Sequence, residues 1–195
     1  MPRPSLKNVR SKEILRAFAA CVARFGLEGA TQERIAEAAG VKRTILRHYL
    51  GNRDAMIEAL IDHVAADFDA QTAMLVAALP ADNRLSALLD LLFGAAPTTA
   101  PESILVFQAL VTAAERYPKA RRALWDSTSR FAAALEGELR RANPDASATA
   151  HSDVALGVMG IYFNAQSLAP LEPSGDWRAA SRRAAERLIA SLKED

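Results

Sequence analysis

The sequence predicts an all-α protein, and three observations support this fold class. Apolar residues recur at helical spacing along nearly the whole chain, and no stretch of useful length shows the alternation typical of strands. Proline and glycine fall between these periodic segments, where they end helices. Half of the 195 residues are apolar and 24% are charged, which is the composition of a folded globular chain rather than a disordered one.

Four helices are predicted in the first 80 residues. The first ends at Gly26, and its apolar face consists of Ile14, Phe18, Cys21, Val22 and Phe25. Thr31 is a suitable N-terminal cap for a short second helix, and Gly40 ends that helix. A third short helix begins near residue 43. A long fourth helix begins at Asn52 or Asp54.

Five further helices are predicted downstream, at about 82–95, 102–116, 118–142, 148–168 and 176–193. Pro118 stands at a first helical turn, where proline is well tolerated. No apolar run approaches the 18 residues of a membrane-spanning helix, and the N-terminus lacks the apolar segment of a signal peptide. We therefore expect a cytoplasmic protein with no membrane partner.

Charge is distributed unevenly along the chain. Residues 1–54 hold 11 Lys and Arg against 5 Asp and Glu, a net charge of +6, whereas the remaining residues hold 13 against 18, a net charge of −5. The overall charge of +1 conceals this difference. Such asymmetry predicts a basic end that binds a polyanion, joined to a neutral or acidic body.

The basic end includes the stretch "AAGVKRTILRHYLGNRD" at 38–54, which a helical projection divides into two faces. The apolar face consists of Ile45, Leu46, Tyr49 and Leu50. The opposite face carries Arg43, Thr44, Arg47 and His48, with no acidic residue. A solvated surface helix usually mixes charges of both signs. Taken alone, the pattern leaves a phosphate-binding face and a plain solvated face equally open.

The preceding residues favour the phosphate-binding alternative. Ala36, Gly40 and Leu46 are spaced as in a helix-turn-helix unit, which needs a small residue, a turn residue and an apolar residue in that order. The matching segments "IL-A…FG-EGAT---IAEAAGV", "L-HY" and "NRDAMIEAL" lie within residues 11–60. This run resembles the DNA-binding domain of the TetR/AcrR family of transcriptional regulators. The rest of the chain resembles that family only in length and helical pattern.

The resemblance implies two domains. Residues 1–54 would form a three-helix helix-turn-helix DNA-binding domain, and residues 55–195 a helical effector-binding and dimerisation domain. The family's usual mechanism implies a homodimer on a double-stranded DNA operator. It also implies repression that a small, largely hydrophobic effector relieves. The resemblance implies no cofactor.

Carried onto this chain, the resemblance assigns DNA contacts to Thr31, Lys42, Arg43, Thr44, Arg47, His48, Tyr49 and Arg53. Arg43 would read bases in the major groove, and Arg53 would hold the DNA backbone. The chain departs from the family pattern at four places. Lys42 stands where a capping Ser or Thr is usual, and Arg47 replaces an aromatic residue. Thr44-Ile45 stands where a Gly-Thr pair is usual, and Leu50 replaces Phe. An N-terminal arm that contacts DNA and a solubilising tail are equal alternatives for Arg3, Lys7 and Arg10.

Two further sets of residues complete the expected sites. As a group, the following side chains are candidates for an apolar effector pocket, although each alone is better explained as core: Phe93, Phe107, Val111, Trp125, Phe131, Met159, Tyr162 and Phe163. The expected dimer interface lies on the last two helices and consists of Val154, Gly157, Val158, Ile161, Ala165, Ala184, Leu188 and Leu192. Packing within one chain is the alternative for this second set.

The sequence does not indicate an enzyme. It shows no nucleophile elbow, glycine-rich phosphate loop or paired acidic motif, and its three histidines lie in separate elements without metal-ligand spacing. Cys21 lies on an apolar face, which favours a buried structural thiol over a redox sensor. The alternatives to a regulator are a helical protein–protein adaptor or a ligand-binding protein that keeps the fold without specific DNA binding. Weak, salt-insensitive DNA binding would favour the adaptor. Turnover or a tightly held cofactor in purified material would favour a ligand-binding protein or an enzyme.

Overall fold

A computed structural model of the chain describes residues 6–94, 101–171, 173 and 176–193, and the side chains of all of these except 6–8 and 101. The described residues contain helices and no β-strand, which confirms the predicted fold class. The α-helices are α1 (Leu6–Gly29), α2 (Gln32–Ala38), α3 (Arg43–Leu50), α4 (Arg53–Ala77), α5 (Arg84–Phe93), α6 (Pro101–Thr112), α7 (Pro118–Ala142), α8 (Ala148–Ser167) and α9 (Trp177–Ala190). Two short 3₁₀ helices, η1 (Ala169–Leu171) and η2 (Ser191–Lys193), follow α8 and α9.

Most helix ends lie close to the glycines and prolines that predicted them. Gly26 adopts φ 72° and ψ 170° and interrupts α1, so that only a short turn continues beyond it to Gly29. Pro118 is the first residue of α7. In contrast, α6 ends at Thr112 rather than near 116, because residues 113–116 form turns instead of a further helical segment.

The described residues form two compact units. The first unit contains the residues up to Asp67 together with Leu105–Asp126, and the second contains Phe68–Ile104 together with the residues from Ser127 onwards. The division falls inside α4. This helix therefore contributes residues to both units.

In the first unit, α1 packs against α2 and α3, and α2 packs against α3. Phe18, Ile35 and Leu46 are buried in this core. The turn between α2 and α3 places Gly40 at φ 61°, a left-handed conformation that glycine adopts without steric cost. Ala36 is buried, as a close approach of two helices requires. The arrangement is the helix-turn-helix unit that the spacing of Ala36, Gly40 and Leu46 predicted.

The beginning of α4 is hydrogen-bonded to the end of α1 and to the residue that follows it. The Asn52 side-chain oxygen accepts a hydrogen bond from the backbone N–H three residues later, at 2.9 Å, which confirms a capping role. The Arg53 guanidinium donates hydrogen bonds to the carbonyl oxygens of Ala30, at 2.6 Å, and Leu27. It also lies over the Phe18 ring, 5.3 Å from the centroid.

In the second unit, a buried ion pair joins the start of α5 to α7. Arg84 binds Glu138 in a bidentate manner, with Nε–Oε2 and Nη2–Oε1 distances of 2.7 and 2.9 Å. The Arg84 hydrogen bond lowers the pKa of the Glu138 carboxyl, which is 4% exposed. The same guanidinium donates hydrogen bonds to the carbonyl oxygens of Leu79 and Pro80, which follow α4. Arg84 therefore links the start of α5 both to α7 and to the turn that follows α4.

The last two α-helices pack side by side. Gly157 of α8 faces Leu188 of α9 so closely that an added Cβ would overlap the leucine side chain. Among the described residues, only Ala148–Leu171 is long and apolar enough to cross a membrane, with a mean hydropathy of 1.3. Val158 and Tyr162 in this segment are buried within the unit. The burial of these side chains accounts for the apolar composition of the helix.

Replacing Arg53 tests its contacts with the two carbonyl oxygens. We expect Arg53→Ala to lower the free energy of unfolding by about 1–3 kcal/mol, because partly buried acceptors lose a charged donor. Urea unfolding followed by circular dichroism measures this change. Arg47→Ala removes an exposed arginine of α3 and serves as the control, with an expected change within about 0.5 kcal/mol. Equal unfolding midpoints for the two variants would contradict the structural role of Arg53.

The close approach of α8 and α9 generates a second test. We expect Gly157→Leu to lower the free energy of unfolding by about 1–3 kcal/mol, since the new side chain overlaps Leu188 and separates the helices. Gly137→Leu is the matched control, because a Cβ at Gly137 of α7 meets no atom within 4 Å. Calorimetric melting of both variants checks the prediction, which fails if Gly157→Leu is as stable as Gly137→Leu.

Candidate nucleic-acid interface and ligand cavity

The outer face of α3 is basic and exposed. Its exposed polar residues are Arg43, Thr44, Arg47 and His48. Leu46 and Leu50 are buried on the opposite side, and the half-buried Tyr49 packs edge-on against His48, with ring centroids 5.3 Å apart. The helix therefore has one core face and one cationic face that is open to a partner.

The N-termini of α2 and α3 differ in how they are capped. The Thr31 hydroxyl accepts a hydrogen bond from the Arg34 backbone N–H at 3.4 Å, so Thr31 caps α2 as predicted. Lys42 precedes α3 in an extended conformation, and its side chain makes no capping hydrogen bond. Lys42 instead adds a positive charge beside the first turn of α3. Both residues lie at helix starts, where backbone N–H groups favour anions.

Two residues of α2 face the basic surface and were missed by the sequence analysis. Arg43 Nη1 lies 2.5 Å from Glu33 Oε1, and Arg43 Nη2 donates a hydrogen bond to Gln32 Oε1 at 3.4 Å. The pKa of Glu33 is lowered, first by its own backbone N–H and then by Arg43. Sequence spacing gives no signal for this contact, since Gln32 and Arg43 are eleven residues apart and meet only through the turn at Gly40. The guanidinium of Arg43 is thus held before any partner binds.

Ile45 also differs from its predicted placement. The helical projection put Ile45 on the core face, but its side chain is 39% exposed. Only Leu46 and Leu50 of the predicted apolar stripe are buried, so the buried face of α3 is narrower than that stripe. An exposed apolar side chain beside a basic face is suited to contact with a thymine methyl group.

Among the arginines and lysines predicted to contact DNA from outside Lys42 and α3, those with described side chains are bound to other groups of the chain. The Arg53 guanidinium is occupied by the carbonyl oxygens of Leu27 and Ala30, so the structure gives it internal partners. Arg10 is part of α1 and pairs with Glu13 at 2.6 Å. Arg3 and the side chain of Lys7 lie outside the described residues.

The eight aromatic and apolar residues predicted to bind an effector are divided between the two units. Five lie in the second unit, namely Phe93, Phe131, Met159, Tyr162 and Phe163. Tyr162 is central among them, with ring centroids 5.7 Å from Phe131 and 6.2 Å from Phe93. The other three lie in the first unit, where Phe107 is buried and Val111 and Trp125 are 51% and 69% exposed. Phe107, Val111 and Trp125 therefore belong to a different unit from the other five.

A cavity of about 240 Å³ lies in the second unit. It is lined by Phe68, Gln71, Thr72, Met74, Leu75, Ala78, Leu91, Leu92, Phe131 and Tyr162. Phe131 and Tyr162 are the predicted residues that reach it. Much of the wall comes from the second half of α4, where no effector residue was predicted. The available signal was the pair of polar residues, Gln71 and Thr72, on an otherwise apolar helical face.

The residues predicted at a dimer interface are mostly turned inward. The buried members are Val154, Val158, Ala165 and Leu192. Gly157 and Leu188 contact each other within the chain, Ile161 is half-buried, and Ala184 is exposed. The predicted stripe includes the side of α8 that packs against the chain's own core. The outer side of α8 carries Leu156, which is 60% exposed, and the exposed Gly160.

The described residues contain no group of three or more His, Cys, Asp or Glu side chains placed to hold a metal ion. Cys21 is buried, and this burial raises the pKa of its thiol, which disfavours the reactive thiolate. The described residues thus offer a basic face for binding and an apolar cavity.

Transcriptional regulators are similar to this chain in sequence. The HTH-type transcriptional regulator BetI of Rhizobium meliloti is 31% identical over 172 residues, which cover 86% of this chain and 83% of that protein. The regulator of the same name from Paraburkholderia phytofirmans is 28% identical over 185 residues, covering 93% and 94%. No family model matches the chain.

Solved structures of regulators share the fold along nearly the whole chain. A transcriptional regulator from Pseudomonas aeruginosa PAO1 aligns with a TM-score of 0.76 at 21% identity, covering 96% of this chain and 91% of that one. A TetR transcription regulator from Haloarcula marismortui aligns with a TM-score of 0.75 at 17% identity, covering 94% and 98%. Together with the sequence relatives and the helix-turn-helix unit, they establish that the chain belongs to the TetR/AcrR family of DNA-binding transcriptional regulators and is not an enzyme.

Proposed function

We propose that this regulator is a cytoplasmic homodimeric repressor that a small, largely hydrophobic effector releases from its operator. The observation that carries the proposal is the exposed basic face of α3, held over a buried apolar face in a helix-turn-helix unit. In this proposal residues 1–54 bind DNA, and residues 55–195 bind the effector and form the dimer.

The α3 helix is the recognition helix in this proposal. Lys42, Arg43 and Thr44 begin the helix and enter the major groove. There the exposed Arg43 guanidinium exchanges its contacts with Glu33 and Gln32 for two hydrogen bonds to a guanine edge. Arg47 and His48 follow at the margin of the groove. These residues supply both base contacts and the positive charge that makes DNA binding depend on salt.

Phosphate contacts come from the flanks of the recognition helix. Thr31 and the N-terminus of α2 offer a hydroxyl and backbone N–H groups to one phosphate. The half-buried Tyr49 offers its hydroxyl to another. Because its guanidinium already binds two carbonyl oxygens, Arg53 serves as a positioning residue that holds α4 to the helix-turn-helix unit.

The homodimer forms through the outer side of α8 and the adjoining part of α9. Leu156 is a large apolar side chain exposed to solvent, and Gly160 lies one turn further on the same side, with no atom within 4 Å of an added Cβ. Ile161 and the exposed Ala184 extend this surface. Small residues next to a leucine allow a second helix pair to approach closely, and a two-fold dimer presents two recognition helices to an operator with two half-sites.

Effector control acts through α4, which contributes residues to both compact units. Its second half lines the cavity, and its first residues are tied to the helix-turn-helix unit through Arg53. An effector that prefers one arrangement of α4 shifts the population away from the DNA-binding state by its differential binding energy. This arrangement supports release of the operator when the cavity is filled.

A protein–protein adaptor or ligand-binding protein that has lost specific DNA binding is the competing function. The two functions differ in their response to salt, since neutralising phosphates releases counterions and gives an affinity that falls steeply as salt rises. Selecting bound fragments from the source genome supplies the operator for such measurements. Recovery of no enriched fragment, with affinity that does not respond to salt, would favour the adaptor.

Arg43 tests the assignment of the recognition helix. We expect Arg43→Ala to weaken binding to a selected operator about ten- to hundredfold and binding to unrelated DNA much less, because a base contact is lost. Fluorescence anisotropy with labelled duplexes at several salt concentrations measures both. Arg122→Ala, at an exposed arginine of α7, is the matched control and should bind like wild type. Equal losses on operator and unrelated DNA would assign Arg43 to a phosphate instead.

Leu156 tests the dimer surface. We expect Leu156→Arg to convert the dimer to monomers, because it places two like charges across an apolar two-fold contact. Sedimentation velocity at micromolar concentration distinguishes the two states. Leu171→Arg changes a leucine that is 75% exposed in η1 and should leave the dimer intact. A monomeric wild-type chain, or a dimer that tolerates Leu156→Arg, would exclude this surface.

A further inference from the structure

Three of the ten described residues that line the cavity in the second unit are aromatic, and most of the others are aliphatic. Phe68 and Phe131 meet at 76° with centroids 5.9 Å apart, and Tyr162 lies 5.7 Å from Phe131. All three rings line the cavity. Flat, rigid side chains in edge-to-face and tilted contacts leave a space that is complementary to another ring.

The size of the cavity limits its occupant. Its volume is about 240 Å³. An engineered apolar cavity of about 150 Å³ in another protein holds one benzene molecule. The cavity in this chain therefore has room for one six-membered ring and a substituent of a few atoms.

The lining is also uncharged. No Asp, Glu, Lys, Arg or His is found among the described residues that form the wall. A carboxylate or ammonium group in such a space would lose its hydration without gaining an ionic partner. The rings offer an ammonium group only a cation–π contact of about 0.5–2 kcal/mol, which is less than the cost of burying an unpaired charge. The wall therefore favours a neutral occupant.

One polar group on the wall lacks a partner. The Gln71 amide oxygen is buried and accepts no hydrogen bond from a described residue. The neighbouring Thr72 hydroxyl donates its proton to the Phe68 carbonyl oxygen at 3.1 Å and so does not satisfy it. The last torsion of a glutamine side chain is broad, so this oxygen can turn toward the cavity. A buried acceptor without a donor is costly and is satisfied when an occupant brings an O–H or N–H group.

We infer that this cavity binds a neutral, single-ring aromatic molecule that carries one hydrogen-bond donor, of the alkylphenol class, and that Gln71 selects the donor. The inference rests on the proposed effector role of the cavity and adds the chemical class of the effector. The side-chain rings of Phe68, Phe131 and Tyr162 contact the ring of the bound phenol, and the phenol hydroxyl donates a hydrogen bond to the Gln71 amide oxygen.

Calorimetric titration of the full chain, without DNA, tests the inference. The probes are 4-ethylphenol, its methyl ether 4-ethylanisole, the anion 4-ethylbenzoate and the cation phenyltrimethylammonium. We expect wild type to bind the phenol about five- to tenfold more tightly than the ether, and both more tightly than either ion. Gln71→Leu should remove the preference for the phenol and leave ether binding within about twofold. Gln71→Met keeps the length of the side chain and provides a second variant without the acceptor.

The possible outcomes separate this inference from the proposed function. Equal binding of phenol and ether to wild type, or an unchanged preference in both Gln71 variants, overturns the role of Gln71. Tighter binding of either ion, or no binding of any probe, overturns the ligand class. If the phenol binds with the expected preference but does not release DNA, the ligand class stands and the proposed release mechanism fails.

Discussion

The packing of α3 against α1 and α2 is the contact on which the DNA-binding surface depends. A helix of eight residues does not hold its conformation alone in water, so α3 exists because its neighbours bury one side of it. Leu46 and Leu50 fix the rotation of the helix about its own axis. That rotation decides which residues face outward, and it presents Arg43 and Arg47 to a partner. The same two turns of α3 therefore supply both the buried side chains that stabilise the helix-turn-helix unit and the exposed side chains that face a partner.

Features with local causes were predictable from the sequence. Gly26 and Gly40 mark helix ends because they adopt conformations that other residues rarely adopt, and Pro118 begins a helix because it has no N–H to leave unpaired. The exposed basic face of α3 was equally predictable, since periodicity alone separates its two sides. Ile45 marks the limit of this reasoning: an apolar residue at the edge of a stripe is buried only if a neighbour covers it.

Features that depend on distant partners were not predictable. Periodicity shows which side of a helix is apolar but not what lies opposite, so Arg53 gave no sign that its partners are 23 and 26 residues away. The same applies to Arg84 and Glu138, which are 54 residues apart. The cavity is the strongest case. Its wall includes a face of α4 that is indistinguishable from core in the sequence, apart from Gln71 and Thr72.

Two arginine side chains described above form hydrogen bonds near the two ends of α4, and these contacts limit how far its terminal turns can open. Arg53 fastens its first residue to carbonyl oxygens in the first unit, and Arg84 fastens the segment just beyond its end in the second unit. A helix with free ends absorbs a push by fraying, since its terminal turns open at little cost. With hydrogen bonds near both ends, the terminal turns of α4 are held against such opening.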